Sequence, residues 1–390
     1  MTSHGRTMPL GRIAELQYGF TEKAEDSGDA RFIRITDISR DGTLRSDGAK
    51  YVALTDGARC ALLRRNDILV ARTGATYRKT VLFTEDYPAV FASFLIRIRV
   101  AESLGYAPYI WQFAQSSAYW NQTWALVAGG AQPQFNANVL KRIEVPLPPL
   151  EEQHRIVEVL RTWDSAVHTI QKLAEHKSTQ AKWTARQLLG RRRVPGSRRT
   201  TLGAISRIRS GSTPSKSNAD FWDGDHPWVS ARDMKTLVIS GSIKRLTDAG
   251  YREASVAPRN SLLVLTRGMT LFKDVPVCIA GEDVAFNQDV KALIVEAETN
   301  AVYVAFLLRV LKNDLLGLVD TAGHGTGRLD TEALREFPVL LPPRETQDAI
   351  VETLLTAHRE IEVLLSLATA YQNQKTVLTS VLFPTTGSAT

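Results

Sequence analysis

The sequence predicts an α+β chain built twice. Two tandem globular segments each lead into a long helix, and the two helices pair as an intramolecular antiparallel coiled coil with a pseudo-twofold repeat. Three observations predict this. The chain matches itself at an offset near 194 residues, a Pro-Pro pair precedes a long run in each copy, and apolar residues recur at every seventh position along both runs.

The self-match is distributed along the chain. Pro148-Pro149-Leu150-Glu151-Glu152-Gln153 recurs as Pro342-Pro343-Arg344-Glu345-Thr346-Gln347 (342 − 148 = 194). Arg65-Asn66-Asp67-Ile68-Leu69-Val70 recurs as Arg259-Asn260-Ser261-Leu262-Leu263-Val264, and Leu10-Gly11-Arg12-Ile13 as Leu202-Gly203-Ala204-Ile205. Arg31–Ile38 aligns with Pro227–Met234. Blocks kept in one order at nearly one spacing mark a duplicated domain, and the period is too long for a solenoid unit of roughly 20–50 residues. The reading divides the chain into residues 1–145, a first globular segment; 146–194, a long helix and basic hinge; 195–338, a second globular segment; and 339–390, a second long helix and tail.

Each globular segment opens on a short helix-like stretch ending at Gly19 or Gly211. Strand-like runs follow at Arg31–Ile38, Tyr51–Leu54, Asp67–Thr73, Thr80–Thr84 and Phe94–Val100, and in the second copy at Trp228–Met234, Ser261–Arg267, Val275–Ala280 and Val290–Val295. Helices are expected near 108–120 and 301–315. Regular βα alternation is too sparse for a doubly wound sheet.

After Pro149, about forty residues run without Pro or Gly to Gly190, which at 1.5 Å per residue makes a rod of about 60 Å. Glu151 and Glu152 suit its first turn. Ile156, Trp163 and Ile170 are seven apart, as are Ile350, Ala357, Leu364, Tyr371 and Leu378. Lys177 and Gln180 interrupt the first seam and are read as polar gaps where a partner docks. The Arg-rich stretch from Arg186 to Arg199 has no acid and reads either as a phosphate contact or as a plain basic linker.

Composition narrows the function. The chain carries 48 Lys and Arg against 41 Asp and Glu, and 34 of the 48 are Arg. A guanidinium fork suits phosphates and the guanine edge, so the excess points to a polyanion. Two distant cysteines, Cys60 and Cys278, exclude a disulfide scaffold or a cysteine-clustered zinc site and fit a cytoplasmic protein. No apolar run approaches the ~18 residues a spanning helix needs, and the first ten residues contain no apolar signal core, which argues against membrane or export.

No phosphate-binding Gly-x-x-x-x-Gly-Lys loop, Gly-x-Ser-x-Gly elbow or His-x-x-x-His pair is present, nor an Asn-Pro-Pro-aromatic run for amine methylation. The reading is therefore a binding protein without catalysis. The like frameworks carry unlike polar loops: Ala75–Lys79 against Met269–Lys273, and Gly129–Asn136 against Ala322–Asp330. Arg, Gln, Asn and Thr on such loops are the residue types that read base edges.

A globular segment, then Pro-Leu-Pro-Pro-Leu-Glu-Glu-Gln-x-x-Ile-Val at 146–157, then a long helix, and all of it again, resembles the specificity subunit of Type I restriction–modification enzymes. The Leu-Gly-x-Ile starts, the Asp67–Arg72 strand and the Gln132-Pro-x-Phe-Asn136 run match it too. The second copy departs at Arg344, Thr346 and 325–330.

The resemblance implies that each segment reads one half of a bipartite duplex DNA target. The helices fix the gap and dock two modification subunits, and a translocating restriction subunit is a further partner. It also implies that S-adenosylmethionine, ATP and Mg²⁺ are used by those subunits, with no cofactor or metal held by this chain. Candidate DNA contacts are Arg72, Thr73, Thr76, Tyr77, Arg78, Lys79, Gln132 and Gln134 in the first half. In the second they are Ser212, Thr213, Lys216, Arg232, Thr266, Arg267, Thr270, Lys273, Thr326 and Arg328. The competing readings are a duplicated protein-binding scaffold without DNA recognition and, more remotely, a metal-dependent nuclease.

Overall fold

The computed structural model describes residues 6–39, 41–72, 79–128, 135–190, 196–321 and 325–384. The chain separates into two compact units, Met1–Gln171 with Leu365–Thr390, and Lys172–Leu364. Each long helix therefore contributes one stretch to each unit.

In the first unit a four-stranded antiparallel sheet has the order Ala14–Tyr18, Leu95–Val100, Ile68–Ala71, Thr80–Leu82. A three-stranded sheet sets Ala30–Ile33 between Tyr51–Val52 and a parallel neighbour, Ala89–Phe91. The strand Ile68–Ala71 is buried on both faces, and its successive side chains feed two cores. Ile68 and Val70 join Tyr109, Phe113 and Phe383 in one, while Leu69 and Ala71 join Phe32, Val81 and Phe91 in the other.

The second unit repeats the plan. Its five-stranded sheet has the order Ser206–Ser210, Val290–Val295, Leu262–Leu265, Val277–Ala280, Val238–Ile239. A four-stranded sheet runs Lys244–Leu246, Trp222–Val229, Val284–Phe286, Val256–Ala257. A further ribbon pairs Gly327–Leu329 with both Arg267–Gly268 and Val319–Thr321. Each copy is closed by a short antiparallel pair of strands from its two ends, Arg6–Pro9 on Glu144–Leu147 and Arg198–Thr201 on Pro338–Leu341.

The repeated residues have repeated structural tasks. Asn66 and Asn260 turn the chain into the central strand with φ of 72° and 67°. Such a conformation is tolerated by Asn because its short polar side chain bonds locally. At Gly19 a β-carbon would lie 2.2 Å from the Ala92 carbonyl oxygen, and at Gly211 2.1 Å from that of Asn287. Only glycine allows that backbone approach.

The Gln of the Pro-Pro motif is a buried clamp. Gln153 accepts from the Tyr106 N–H (2.9 Å) and donates to the Pro148 carbonyl (2.8 Å). Gln347 accepts from the Asn300 N–H (2.8 Å) and donates to the Pro342 carbonyl (2.9 Å). Tyr106 and Asn300 are the N-caps of Ala107–Ala114 and Ala301–Val310, so the clamp joins the foot of each long helix to the first helix of its globular part.

The long helices are Leu150–Leu189 and Arg344–Leu382. They pack together, antiparallel. In the first unit Trp163 meets Tyr371 with ring centroids 5.3 Å apart, and Asp164 pairs with Lys375 at 2.5 Å. In the second, Lys177 pairs with Glu360 at 2.8 Å. Half-buried and buried positions follow a three-four alternation through Leu160, Trp163, Val167, Ile170 and Ala174, matched by Leu354, Ala357, Ile361, Leu364, Ala368 and Tyr371. The structure thus alters one expectation: Lys177 is a seam residue closed by an acid across the pair, not a gap. Gln180 is exposed.

The local assignments also shift. The stretch ending at Gly19 is helical only at Leu10–Ile13 and then runs as a strand, Ala14–Tyr18; Leu202–Ile205 and Ser206–Ser210 repeat this. Edge pairing with the β-branched-rich strands Leu95–Val100 and Val290–Val295 overrides helix propensity. The run Arg31–Ile38 is a strand only to Ile33, followed by a 3-10 turn, and Tyr51–Leu54 is a strand only over Tyr51–Val52. The expected single helices are pairs, Ala107–Ala114 with Ser117–Ala128, and Ala301–Val310 with Lys312–Leu316.

Candidate nucleic-acid interface

Six of the sequence-predicted contacts, Thr73, Thr76, Tyr77, Arg78, Gln132 and Gln134, lie outside the described residues. In the first unit, Arg72 leaves the end of the central strand with its guanidinium 4.9 Å from the centroid of the Tyr18 ring. The stack orients a cation over a half-exposed aromatic face. Its Nε is buried without a hydrogen-bond partner among the described residues, and its backbone N–H donates to Phe94, which is itself exposed. Lys79 stands at the other side of this segment and donates to the Ile35 carbonyl at 3.3 Å.

The second unit brings more of the predicted residues together. Arg267 and Arg328 are directly opposed on paired strands, though 61 residues apart in sequence (328 − 267). Like charges in that position oppose folding. A third cation, Lys291, sits on the neighbouring sheet and donates to Ser210 Oγ at 2.7 Å. Burial, and then the positive charges of Arg267 and Arg328, push the Lys291 ammonium below its ordinary value. Arg328 pairs with Asp330 Oδ2 at 3.2 Å, while Oδ1 of the same carboxylate accepts from the N–H groups of Glu332 and Ala333. Arg267 makes no ion pair among the described residues and is exposed. Three cations thus lie together, with Asp330 paired to Arg328 and Asp320 opposite Arg328 on the next strand.

Thr270 and Lys273 are exposed on the turn that follows Arg267, and Thr326 is half-buried beside Gly327. Lys216 and Arg232 are exposed elsewhere on the unit. Three predicted hydroxyls are held by the scaffold. Thr266 is buried and donates to the Asp289 carbonyl at 3.1 Å, and Ser212 Oγ accepts from the Ser255 N–H at 2.7 Å. Thr213 donates to the Gln288 side-chain oxygen. Sequence reasoning missed Lys291, whose only signal was one cation inside the apolar strand Val290–Val295.

A cleft of about 470 Å³ lies at the foot of the first long helix, lined by Arg64, Arg99 and a stacked Tyr106–His154 pair, and holds none of the predicted residues. Among the described residues no group of His, Cys, Asp and Glu could hold a metal ion. No described helix is long and apolar enough to cross a membrane.

Comparison with known proteins bears on the fold and the family. The profile of the Type I restriction modification DNA specificity domain matches residues 6–176 and again 198–364. The specificity subunit of the Type I restriction enzyme EcoR124I/EcoR124II of Escherichia coli is 27% identical over 222 residues, 55% of this chain and 55% of that protein. The chain thus spans about half the length of that curated relative.

Two solved structures share the fold over nearly the whole chain. One, from a study of complex assembly and conformational transition of the type I R-M system, is 17% identical with a TM-score of 0.61 and 98% of both chains covered. The other, a Type I restriction–modification S subunit from M. genitalium, is 14% identical with a TM-score of 0.59, covering 97% of this chain and 96% of that one. With the profile matched twice and covering most of its length, the chain belongs to the Type I restriction modification DNA specificity domain family.

Proposed function

We propose that this chain is the sequence-reading subunit of a Type I restriction–modification complex. Each globular part reads one half of a bipartite duplex target, and the paired helices fix the gap between halves and dock two modification subunits. A restriction subunit joins the same assembly. The chain itself performs no chemistry. S-adenosylmethionine, ATP and Mg²⁺ are used by its partners in the cytoplasm.

The observation that carries this reading is the contrast between a repeated frame and unrepeated polar surfaces. The same glutamine clamp, glycine and asparagine turn recur in both copies. The cations that could meet phosphate differ: Arg72 over Tyr18 in one, and Arg267, Arg328 and Lys291 in the other. Phosphate contacts set affinity and register, while base-edge contacts set sequence.

The test is exchange of residues 1–145 for those of another family member, followed by genome-wide mapping of modified adenines. One half-site changes and the other stays. A change in both, or in neither, contradicts the proposal. DNA binding by the assembled complex also weakens steeply with salt, as phosphate contacts require; salt-insensitive binding would favour a protein scaffold instead.

A further inference from the structure

Beside the cation cluster of the second unit, the chain exposes two large apolar side chains on one short turn. Met269–Phe272 is a 3-10 turn. In such a helix residues three apart eclipse one another, so Met269 and Phe272 form one edge. Met269 is 65% exposed and Phe272 47%, while Leu271 between them is completely buried and anchors the turn. The turn is held from both sides. Gly268 enters it at φ 139°, a conformation disfavoured for any side chain, and a β-carbon on Gly327 would lie 2.8 Å from Leu271 Cβ.

An exposed apolar edge on a rigid anchor needs an occupant, and the surrounding charge specifies one. Arg267 precedes the turn, Lys273 follows it, and Arg328 faces Arg267 across the ribbon; of the nearby acids, Asp274 pairs with Lys312 at 3.2 Å, and Asp330 and Asp320 flank Arg328, leaving Arg267 and Lys273 without an ion pair among the described residues. A protein or lipid-tail surface would have to bury these cations; a nucleic-acid duplex neutralises them while offering stacked bases to the apolar edge.

We infer that Met269 and Phe272 act as a wedge that enters a base step of the second half-site and unstacks it, while Arg267, Arg328 and Lys273 hold the flanking phosphates. Phe and Met are among the side chains that open base steps in this way, and the resulting deformation is read as sequence preference for easily unstacked steps. The inference rests on the DNA-reading function proposed above. It adds a distortion of the duplex and a specificity-determining pair that makes no hydrogen bond to a base.

The experiment uses the full chain assembled with its modification subunits and a duplex bearing the mapped target, with 2-aminopurine placed in turn at each step of the second half-site. Wild type raises the fluorescence at one step. The double variant Met269→Ala, Phe272→Ala abolishes that rise and weakens target binding on the order of tenfold, the size of one lost base-pair contact. It keeps the slope of affinity against salt and the thermal midpoint, because both side chains are exposed. Phe272→Leu restores part of the rise.

An absence of unstacking at every step with wild type, or a double variant that binds and unstacks like wild type, overturns the wedge. A separate arm isolates the underlying reading. Arg267→Ala with Arg328→Ala lowers affinity and flattens the salt slope if this surface meets DNA. If that pair changes nothing, both the wedge and the DNA reading of this surface fall; if it flattens the slope while the apolar variant is silent, the wedge alone falls.

Discussion

The turn before the central strand is built alike in the two copies and then solved by different chemistry. Asn66 and Asn260 take the same left-handed conformation and donate to equivalent carbonyls, Phe83 and Ala280, both at 2.8 Å. The next residue differs. Asp67 is buried and receives both a nitrogen–oxygen pair from Arg99, each 2.7 Å, and the Arg64 N–H. The Asp67 carboxylate holds the Arg99 guanidinium above its ordinary pKa. In the second copy Ser261 replaces the acid, with its Oγ unpartnered among the described residues, and Ile294 lines the same cleft as Ser261. A charge and its partner have been exchanged together for small and apolar residues. The backbone solution is kept because it shapes the frame, while the side-chain solution changes, a buried charge pair giving way to one small buried hydroxyl.

Breaking the pair on one side is the most damaging test of that comparison. Asp67→Ser alone strands the Arg99 charge and destabilises the first unit by about 3 kcal/mol. Adding Arg99→Ile, which installs the second copy's arrangement, recovers most of the loss. Native-state hydrogen exchange of the Ile68–Ala71 strand reads both values. A double variant no better than the single one would mean that the exchange is not a matched pair.

The shared clamp is the next largest. Gln347→Leu leaves the Asn300 N–H and the Pro342 carbonyl unpaired and costs about 2 kcal/mol. Gln153→Leu costs a similar amount in the other copy, read by exchange protection of Ala107–Ala114. Effects that differ several-fold between copies would contradict equal roles.

A smaller effect separates the two seam ion pairs. Lys375 is 13% exposed in its pair with Asp164, whereas Lys177 is 34% exposed against Glu360. Asp164→Ala therefore costs about 1 kcal/mol and Glu360→Ala about half of that, by urea unfolding at low and high salt. At the surface cluster, Arg328→Ala leaves stability within about 0.5 kcal/mol, since it removes a like-charge opposition along with a weak surface pair.

How much of this could be read beforehand follows from sequence separation. The repeat, the helix starts and the seven-residue seams are local or periodic, and all are visible without a structure. The clamp role of Gln153 was hidden, because Tyr106 lies 47 residues away. The pairing of Arg267 with Arg328 is a non-local strand contact that no spacing rule reports. Ser212 and Thr266 show the same limit from the other side. Their hydroxyls suit base contacts by type, yet they are taken up by backbone groups of distant segments, the Ser255 N–H and the Asp289 carbonyl. Lys291 reads as one polar residue in an apolar strand until the fold sets it beside two arginines.

The account turns on two unlike surfaces on like frames, each answering to its own tract of DNA. Mapping modified adenines in cells whose chain carries residues 195–338 exchanged for those of another family member tests this most directly. The expected result is a new sequence in one half-site, with the other half-site and the spacing between them unchanged. A change in both half-sites, or an unaltered target, would contradict it.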